Sequence, residues 1–558
     1  MCQSHSTVAP ADRPEPFRWQ RSQSAEILQL LRDSAAPSLR VFAQEHDIPP
    51  ASLSYWQRRR QRLPAPPELI AFFESPVGLS FLHGLVLAAH LVFQQSGACG
   101  LRTLILFFRL SGLAPFLACS FGAQYRLANR LQDLLLQYGR DQRQRLGPAM
   151  PPRKISLCED ETFHPQTCLV AIEPVSNFIL VEQYQPRRDA ATWNQVVATA
   201  TDGLPVTVVQ VASDEAKALL AHAQEGLGAH HSPDLMHLQQ HLHRATALPL
   251  QTQVEQAQAA EQEAWYQAFL ACWAQAHHEQ NPRPGRPPDF ETRITEAKQQ
   301  WHKAEQDTAD CQQRQQQVQQ AIRGLGDDFH PFSPDSGQSV QPEQLQTRLT
   351  GRLAVVAAAA EQAGVSQEGK KKIAGVRKML PQLVATLVWY WVQVRGVVAE
   401  QSWTETQQEL FVEKVLAWAY WQGAAGRGRD AAHRRQLREL AGQCWSKVEE
   451  SPDWQQLPPD ERERMKGLAR EMAGRWVRSS SCVEGRNGWL RLRHHGKQGL
   501  NAKSLGVLTV LHNYLSTRPD GTTAAQRFFG QRPADLFEWL RPRFPDLPRP
   551  AQPRKKAA

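Results

Sequence analysis

The 558-residue chain predicts a mixed fold: an all-α amino-terminal region, an α/β segment, and a long all-α stretch before a basic carboxyl end. Three observations predict it. Apolar residues recur at helical spacing from Ser24 to Leu63 and from Leu69 to Gly139, short apolar runs between turn residues begin at Ile155, and the strand signal vanishes between Leu250 and about Gly474. Hydrophobic residues at 41% and charged residues at 21% suit a chain with a sizeable core, excluding wholesale disorder, a collagen-like repeat or a disulfide scaffold. At roughly 100–200 residues per domain, the length predicts three or four units.

Ser24–Leu31 and Leu39–His46 are apolar at helical spacing, and a break at Asp47-Ile48-Pro49-Pro50 precedes a third helix, Ala51–Leu63. That third helix carries Tyr55, Trp56, Arg58, Arg59, Arg60 and Arg62. Helix, tight turn and basic helix is the order of a helix-turn-helix, whose second helix enters the major groove, so residues 1–63 are read as DNA-binding, with Tyr55 and the four arginines on the nucleic acid. A small three-helix domain with a solvated basic face is the alternative. Residues 64–150 form a second helical region, either another helix-turn-helix or a packing domain, closed by a linker at 140–154. Its apolar stretches, Leu79–Phe93 and Leu104–Phe121, are short or broken by Arg109 and Pro115 and read as buried helices, not membrane spans.

Ile155–Cys158, Cys168–Ile172 and Asn177–Val181 are expected as successive strands separated by turns at His164-Pro165 and Pro174. A helix from Asp189, a buried strand Val206–Val211, a helix from Ser213 or Asp214, a short strand and a helix near Asp234 follow. The order is β-β-β-α-β-α over residues 151–249. Across 250–474, helices are expected at 251–279 and 291–323, paired around the loop at 281–289, and at 341–362, 370–399, 404–421, 430–448 and 460–477. Nine tryptophans in this stretch, from Trp301 to Trp476, read as core.

The net charge of +9 resolves into +8 over residues 1–154, −9 over 155–470 and +10 over 471–558. Two basic ends suggest a polyanionic partner. The acidic middle suits solvated helices or a cation-dependent site. Nine scattered cysteines without a CxxC pair predict a reduced compartment and no cysteine zinc site, and the first residues carry no secretion signal pattern.

Three acids carry the candidate chemistry. Asp160, in Cys158-Glu159-Asp160-Glu161-Thr162, is placed at the end of the first strand, and Asp214 just past the fourth. If those strands are parallel neighbours, both carboxylates reach one edge of the sheet, where a shared cation offsets their repulsion. Oxygen ligands favour Mg²⁺ or Mn²⁺ over zinc. Glu484, in SSSCVEGRNGWLRLRHHGKQGL, shares a helical face with Arg491 and His495, with Arg486, Arg493 and Lys497 nearby as phosphate-seeking cations. Singly, Asp214 reads as a helix N-cap and Glu484 as a solvated helix residue. His237 and His241 stand at the i, i+4 spacing of a zinc pair, but His237 is favoured as a supporting group near the catalytic edge.

DETFHPQTCLVAIEPVSNFILVEQY, QVASDEAKALLAHAQEGLGAHHSPDLMHLQQ, VEGRNGWLRLRHHGKQGL and HNYLSTRPDGTTAAQRFFGQRPADLFEWL resemble blocks of bacterial insertion-sequence transposases of the DDE type. The resemblance implies a ribonuclease H-like core formed by 151–249 and 475–545, split by an all-α insertion at 250–474 and followed by a basic tail at 546–558. It implies catalysis by Asp160, Asp214 and Glu484 holding two Mg²⁺ or Mn²⁺ ions, with DNA cleavage at element ends followed by strand transfer. It favours Asp160 over Glu159 and Glu161, which periodicity leaves equivalent; Glu159, Glu161 and Asp234 stay open as alternatives to one of the three acids, and Glu161, Asp234 and His237 are supporting candidates. It also implies double-stranded DNA as partner, a homo-oligomer, and a cytoplasmic, nucleoid-associated location. Glu484 stands 270 positions after Asp214, which leaves the third acid resting on its local motif. The Thr522–Phe529 helix, with Arg527 and Phe528, is expected against the end of the catalytic core. The competing readings are a non-catalytic DNA-binding or scaffold protein derived from a transposase, and a metal-dependent nuclease without strand transfer.

Overall fold

The computed structural model describes residues 20–36, 38–163, 166–428, 430–497 and 500–551, without the side chain of Lys497. The amino-terminal leader, the His164-Pro165 turn, the Lys497 side chain and the last residues of the expected basic tail therefore lie outside the described residues. The chain divides into two units: Met1–Met150 with Leu490–Ala558, and Pro151–Trp489.

The first unit begins with α1 (Arg21–Asp33), α2 (Leu39–Glu45) and α3 (Pro50–Gln61). Ser38 caps α2 by accepting from the Val41 amide at 3.3 Å, and Pro50 sits in the first turn of α3, where its missing N–H costs nothing. Asp47 turns the chain between α2 and α3 at φ 51°, a left-handed conformation that Asp tolerates better than most residues. Leu28, Phe42, Ile48, Leu53 and Trp56 fill the small core this creates. Then come α4 (Pro67–Phe73), α5 (Pro76–Ala89, extended by a π-turn to Ser96), α6 (Leu101–Leu110) and α7 (Phe121–Leu146). The expected linker at 140–154 is thus helix as far as Leu146, because Gln142 and Leu146 are buried on the inner face of α7. Pro76–Ser96 is long and apolar enough to cross a membrane, and 44% of its most apolar window is buried. The expectation of a buried helix holds only in part, since Phe81, Val92 and Phe93 are exposed.

The second unit is mixed α/β. Its strands are β1 (Arg153–Phe163), β2 (Thr167–Glu173) and β3 (Phe178–Tyr184), then α8 (Ala190–Thr201), β4 (Val206–Ser213), α9 (Lys217–Ala221, running into a π-turn) and β5 (His230–Pro233). The sheet order is β3-β2-β1-β4-β5. The β1–β2 and β2–β3 pairs are antiparallel, and β1–β4 and β4–β5 are parallel. Ile155, Leu157, Leu169 and Val181 pack under Trp193 and Val197 of α8.

Two helices leave the sheet as a hairpin, α10 (Leu235–Gln280) and α11 (Phe290–Asp328). The two helices expected at 232–248 and 251–279 are one, since α10 runs 46 residues through Pro249. The helical block continues with α12 (Pro342–Gln362), α13 (Gln367–Ala399), α14 (Glu405–Leu410), α15 (Leu416–Ala425), α16 (Ala431–Glu449), α17 (Pro452–Gln456) and α18 (Pro459–Gly474). Trp403, Trp418, Trp421, Trp454 and Trp476 are buried in one core with Tyr390 and Phe411, as the tryptophan density predicts. The eight cysteines among the described residues are all free.

Helix α19 (Ser481–Lys497) spans the boundary between units, and α20 (Ala502–Tyr514), α21 (Ala524–Phe529) and α22 (Leu536–Leu540) belong to the first unit. This corrects the expectation that 475–545 completes the sheet-bearing core: only its first residues do. Tyr138 donates to the Ala534 carbonyl at 2.5 Å, and Lys503 pairs with Asp133 at 2.7 Å. Phe528 and Phe529 of α21 are buried. Nor is the segment from 546 a free tail. Asp546 accepts from the Arg21 amide at 2.7 Å, Leu547 is buried, and the Pro548 and Pro550 carbonyls accept from Ala118 and Arg59.

Phe544 tests this assignment, since its ring lies 5.4 Å from that of His83 and is buried. Phe544→Ala should cost about 3–5 kcal/mol of stability in denaturant titration. A loss below about 1 kcal/mol would mean that the segment does not pack with the amino-terminal helices.

Candidate active site

The pleat of β1 separates its three consecutive acids. Ile155, Leu157, Glu159 and Glu161 share the face covered by α8 and α9, where Glu161 accepts from Arg188 at 2.7 Å and Trp193 at 3.4 Å. Glu159 lies fully buried, 3.3 Å from His222 Nε2. Ser156, Cys158 and Asp160 share the opposite face, where Ser156 donates to Gln210, and Cys158 to the Ser479 carbonyl. Asp160 Oδ2 accepts from Asn487 Nδ2 of α19 at 2.9 Å, and its Oδ1 from the Glu161 amide at 2.8 Å. Asp160 lies within β1, not at its end: the antiparallel β2 pairing carries the strand to Phe163.

The parallel β1–β4 ladder ends at Cys158↔Ala212, and Asp160 and Asp214 each stand two positions further on. Both therefore lie beyond the same end of the same strand pair. Asp214 Oδ1 accepts from the Ala216 amide at 3.0 Å, a local turn, and α9 starts only at Lys217 with Ala216 as its cap. The N-cap reading of Asp214 does not hold.

Glu484 reaches this region through a buried anchor. Asp234, fully buried, caps α10 by accepting from the Met236 amide at 2.8 Å. Its Oδ2 accepts from the Ser480 amide at 3.1 Å and also from the Ser480 hydroxyl, and meets His237 Nδ1 at 3.0 Å. Ser480 immediately precedes α19, so Glu484 emerges from the first turn of that helix with its Oε1 3.3 Å from His237 Nε2. His237 thus links Asp234 to Glu484 through its two ring nitrogens, which leaves it no free nitrogen for the zinc pair with His241.

Electrostatics follow from this packing. Burial pushes the Asp160 carboxyl up to about 6, with Asp214 and Glu484 adding to the rise, against the Glu161 amide and His237. Burial likewise raises Glu215, next to Asp214. His237 is raised to about 9 by its Asp234 hydrogen bond, which outweighs burial, and by the charges of Asp234, Asp160 and Glu484. Burial alone would raise Asp234, but its bonds to His237 and Ser480 outweigh it and hold the carboxyl below its ordinary value. The site is a group of carboxylates with one imidazolium as counter-cation.

Among the described residues, no three His, Cys, Asp or Glu side chains stand gathered around one metal position. The donor set nonetheless suits a hard divalent cation: Asp160, Asp214 and Glu484 supply oxygens, and Glu215 Oε1 and Asn487 Oδ1 are buried without a hydrogen-bond partner. A cation there would offset the cost that burial imposes on charged Asp160.

The expected DNA-contacting residues divide. Tyr55, Arg58 and Arg62 are exposed on or just after α3, whereas Arg59 bonds the Pro550 carbonyl and the Tyr55 hydroxyl, and Arg60 is half-buried. Arg491 and His495 are exposed. Arg486 is not available to phosphate: its fork makes two 2.6 Å bonds to the buried Glu182 carboxylate. Arg493 is also buried, donating to the Ser96 carbonyl at 2.5 Å and to that of Gln95. Charge alone cannot distinguish a phosphate ligand from an arginine that satisfies buried acceptors. The sequence reading also missed Ser480 and Asn487. Asn487, three residues after Glu484 on the same helix, carried a usable signal.

A family model described as a family of unknown function, DUF6399, matches residues 411–556. No curated protein and no solved structure matches the chain.

Three measurements follow from this geometry. In the metal-free protein, the His237 ring should titrate near 9 by NMR. Because its pKa is raised from about 6.5, the stability it contributes is full below that value and is lost as pH rises through about 9; a midpoint near 6.5 would contradict the Asp234–His237–Glu484 chain. Asp234→Ala should lower that midpoint and cost about 3–5 kcal/mol, as for breaking a buried ion pair. Arg486→Ala should cost a similar amount by stranding Glu182, and the Arg486→Met/Glu182→Met double variant should recover much of it. If Arg486→Ala leaves stability unchanged but weakens DNA binding, the structural role is wrong.

Proposed function

We propose that the sheet-bearing unit is a ribonuclease H-like core that cleaves and joins DNA strands as a DDE-type transposase does, with Asp160, Asp214 and Glu484 holding Mg²⁺ or Mn²⁺. The observation that carries this reading is the sheet order β3-β2-β1-β4-β5 with β1 and β4 parallel, which sets Asp160 and Asp214 each two positions past the same end of the β1–β4 ladder. The Asp234–Ser480 anchor and the 3.3 Å approach of Glu484 to His237 support Glu484 as the third acid despite its distance in sequence. The metal would supply an activated water or 3′-hydroxyl and stabilisation of the leaving oxygen at a phosphodiester.

The chain's own groups prepare that site. Asn487 orients the Asp160 carboxylate through its 2.9 Å hydrogen bond. His237 holds a proton between Asp234 and Glu484 and balances the acids while no cation is present. Arg188, exposed and bonded to Glu161, offers a cation to a phosphate backbone on the α8 side of β1. In the other unit, the arrangement of α1, α2 and α3 with Arg58 and Arg62 exposed supports a helix-turn-helix, and its DNA affinity should fall steeply with salt.

The test uses the full chain and a labelled DNA duplex. Mg²⁺ should promote nicking and raise the melting temperature. Alanine at Asp160, Asp214 or Glu484 should lower nicking by at least about 10³-fold, a scale set by loss of metal-ion catalysis, while DNA binding persists. Undiminished nicking in all three variants would refute the site. Nicking without joining in a strand-transfer assay would leave a nuclease, and DNA binding without either would leave a binding protein.

A further inference from the structure

Helix α10 carries a row of exposed aromatic rings that the proposed chemistry does not use. Along the α10–α11 hairpin the buried seam includes Val254 and Ala268. Trp265, Phe269 and Trp273 stand off that seam at 49%, 51% and 55% exposure, with Tyr266 beside them at 47%. Their four-residue spacing puts them on one ridge, and the Trp265 and Phe269 rings stack 5.9 Å apart. From Ala264 to Ala276 the helix holds no charged residue and no histidine. Isolated exposed hydrophobics are ordinary, but a contiguous uncharged aromatic ridge marks a contact surface.

The pattern selects a particular occupant. Extended by one step at each end, the ridge reads Glu261, Trp265, Phe269, Trp273, His277, and is palindromic about Phe269 in its apolar part. A two-fold interface requires that when one residue meets another, the reciprocal contact also occurs. Two copies of α10 crossing antiparallel at Phe269 satisfy this, with Trp265 against the second copy's Trp273 and Glu261 against its His277. The flanks complement each other in the same sense: Glu255, Glu261 and Glu263 precede the ridge without any Lys or Arg, and His277, His278, Arg283 and Arg286 follow it, with Glu279 the single acid there before Asp289. A parallel arrangement would set acid on acid.

We infer that this ridge joins two copies of the chain, α10 to α10, antiparallel about Phe269. Four half-exposed aromatics offer about 300–500 Å² per copy. That is short of the roughly 800 Å² per partner of a stable standard interface, so the dimer forms in the micromolar range or is reinforced elsewhere. The inference stands apart from the strand chemistry and does not depend on it.

Sedimentation equilibrium of the full chain without DNA, over about 1–100 µM, tests it directly. The wild type should show a monomer–dimer equilibrium, and Phe269→Glu should weaken it at least tenfold with an unchanged far-UV circular dichroism spectrum. Trp273→Glu provides an independent variant if Phe269→Glu proves unstable. Glu261→Lys should weaken the dimer, and adding His277→Glu should restore it, which only the antiparallel register explains. A wild type that stays monomeric, a dimer indifferent to both aromatic substitutions, or failure of the double variant to recover would overturn the proposal. A monomeric wild type whose DNA affinity falls in Phe269→Glu would assign the ridge to nucleic acid instead, which also overturns it.

Discussion

The buried Asp234 carboxylate is the constraint on which the sheet-bearing unit depends. It accepts from the first turn of α10, where the chain leaves the sheet, and from Ser480, where the chain returns 246 residues later. The neighbouring Leu235 amide donates to the Arg478 carbonyl at 3.2 Å, and Gln210 of β4 donates to the Val477 carbonyl at 3.1 Å. Exit and return therefore meet beside one strand end. Loop-closure entropy grows only logarithmically with length, and a helical block with its own tryptophan-rich core removes most of that cost in advance. A long helical segment can consequently sit between two parts of one site without displacing either.

What this anchoring achieves is a balance of charge. Asp160 and Glu215 lie where burial disfavours their charged forms, while Asp234 and His237 stabilise each other as an ion pair extending to Glu484. The Asp234–Ser480 bonds fix the start of α19, and with it Glu484 and Asn487, beside β1. The same helix is held a second time by the Arg486–Glu182 fork, which ties α19 to β3 across the buried sheet face. Catalytic candidates and structural pairs thus alternate along three turns of α19, and substitutions there separate only when stability and chemistry are measured side by side.

Charge mapping looks different once burial is known. The basic blocks at the two ends of the chain are real, but Arg21, Arg486 and Arg493 are consumed by buried carboxylates and carbonyls. The cations still facing water include Arg58, Arg62 and Arg491. Arg21, bonded to Glu74 at 2.6 Å and to the Phe116 carbonyl, together with Arg549 helps fasten the carboxyl-terminal segment to the first helices. A net charge counts these arginines with the exposed ones, although they bear on cohesion and not on a polyanionic partner.

Much of the architecture is legible in local sequence pattern. Helical periodicity marks the helices from α12 to α18 to within a few residues, apart from the single turn of α17, and short apolar runs between turn residues mark the strands. The acid run at 159–161 and the Glu484 segment are visible as unusual clusters. Three matters lay beyond that reach. Periodicity leaves Glu159, Asp160 and Glu161 equivalent, and only the packing of α8 on one face of β1 and α19 on the other assigns Asp160 to the face of Glu484. The family resemblance assigns 475–545 to the end of the sheet-bearing core and 546–558 to a tail, but the residues from Leu490 group with the amino-terminal helices, where Phe544 meets His83. Local pattern separates a helix near Asp234 from one at 251–279, yet α10 runs through both and through Pro249, with Leu242, Leu250 and Val254 buried on either side. Backbone preference and side-chain period act over a few residues and are written in the local sequence. Which face, which neighbour and which distant segment a residue meets depends on burial energies shared among segments hundreds of residues apart, and only the folded chain resolves them.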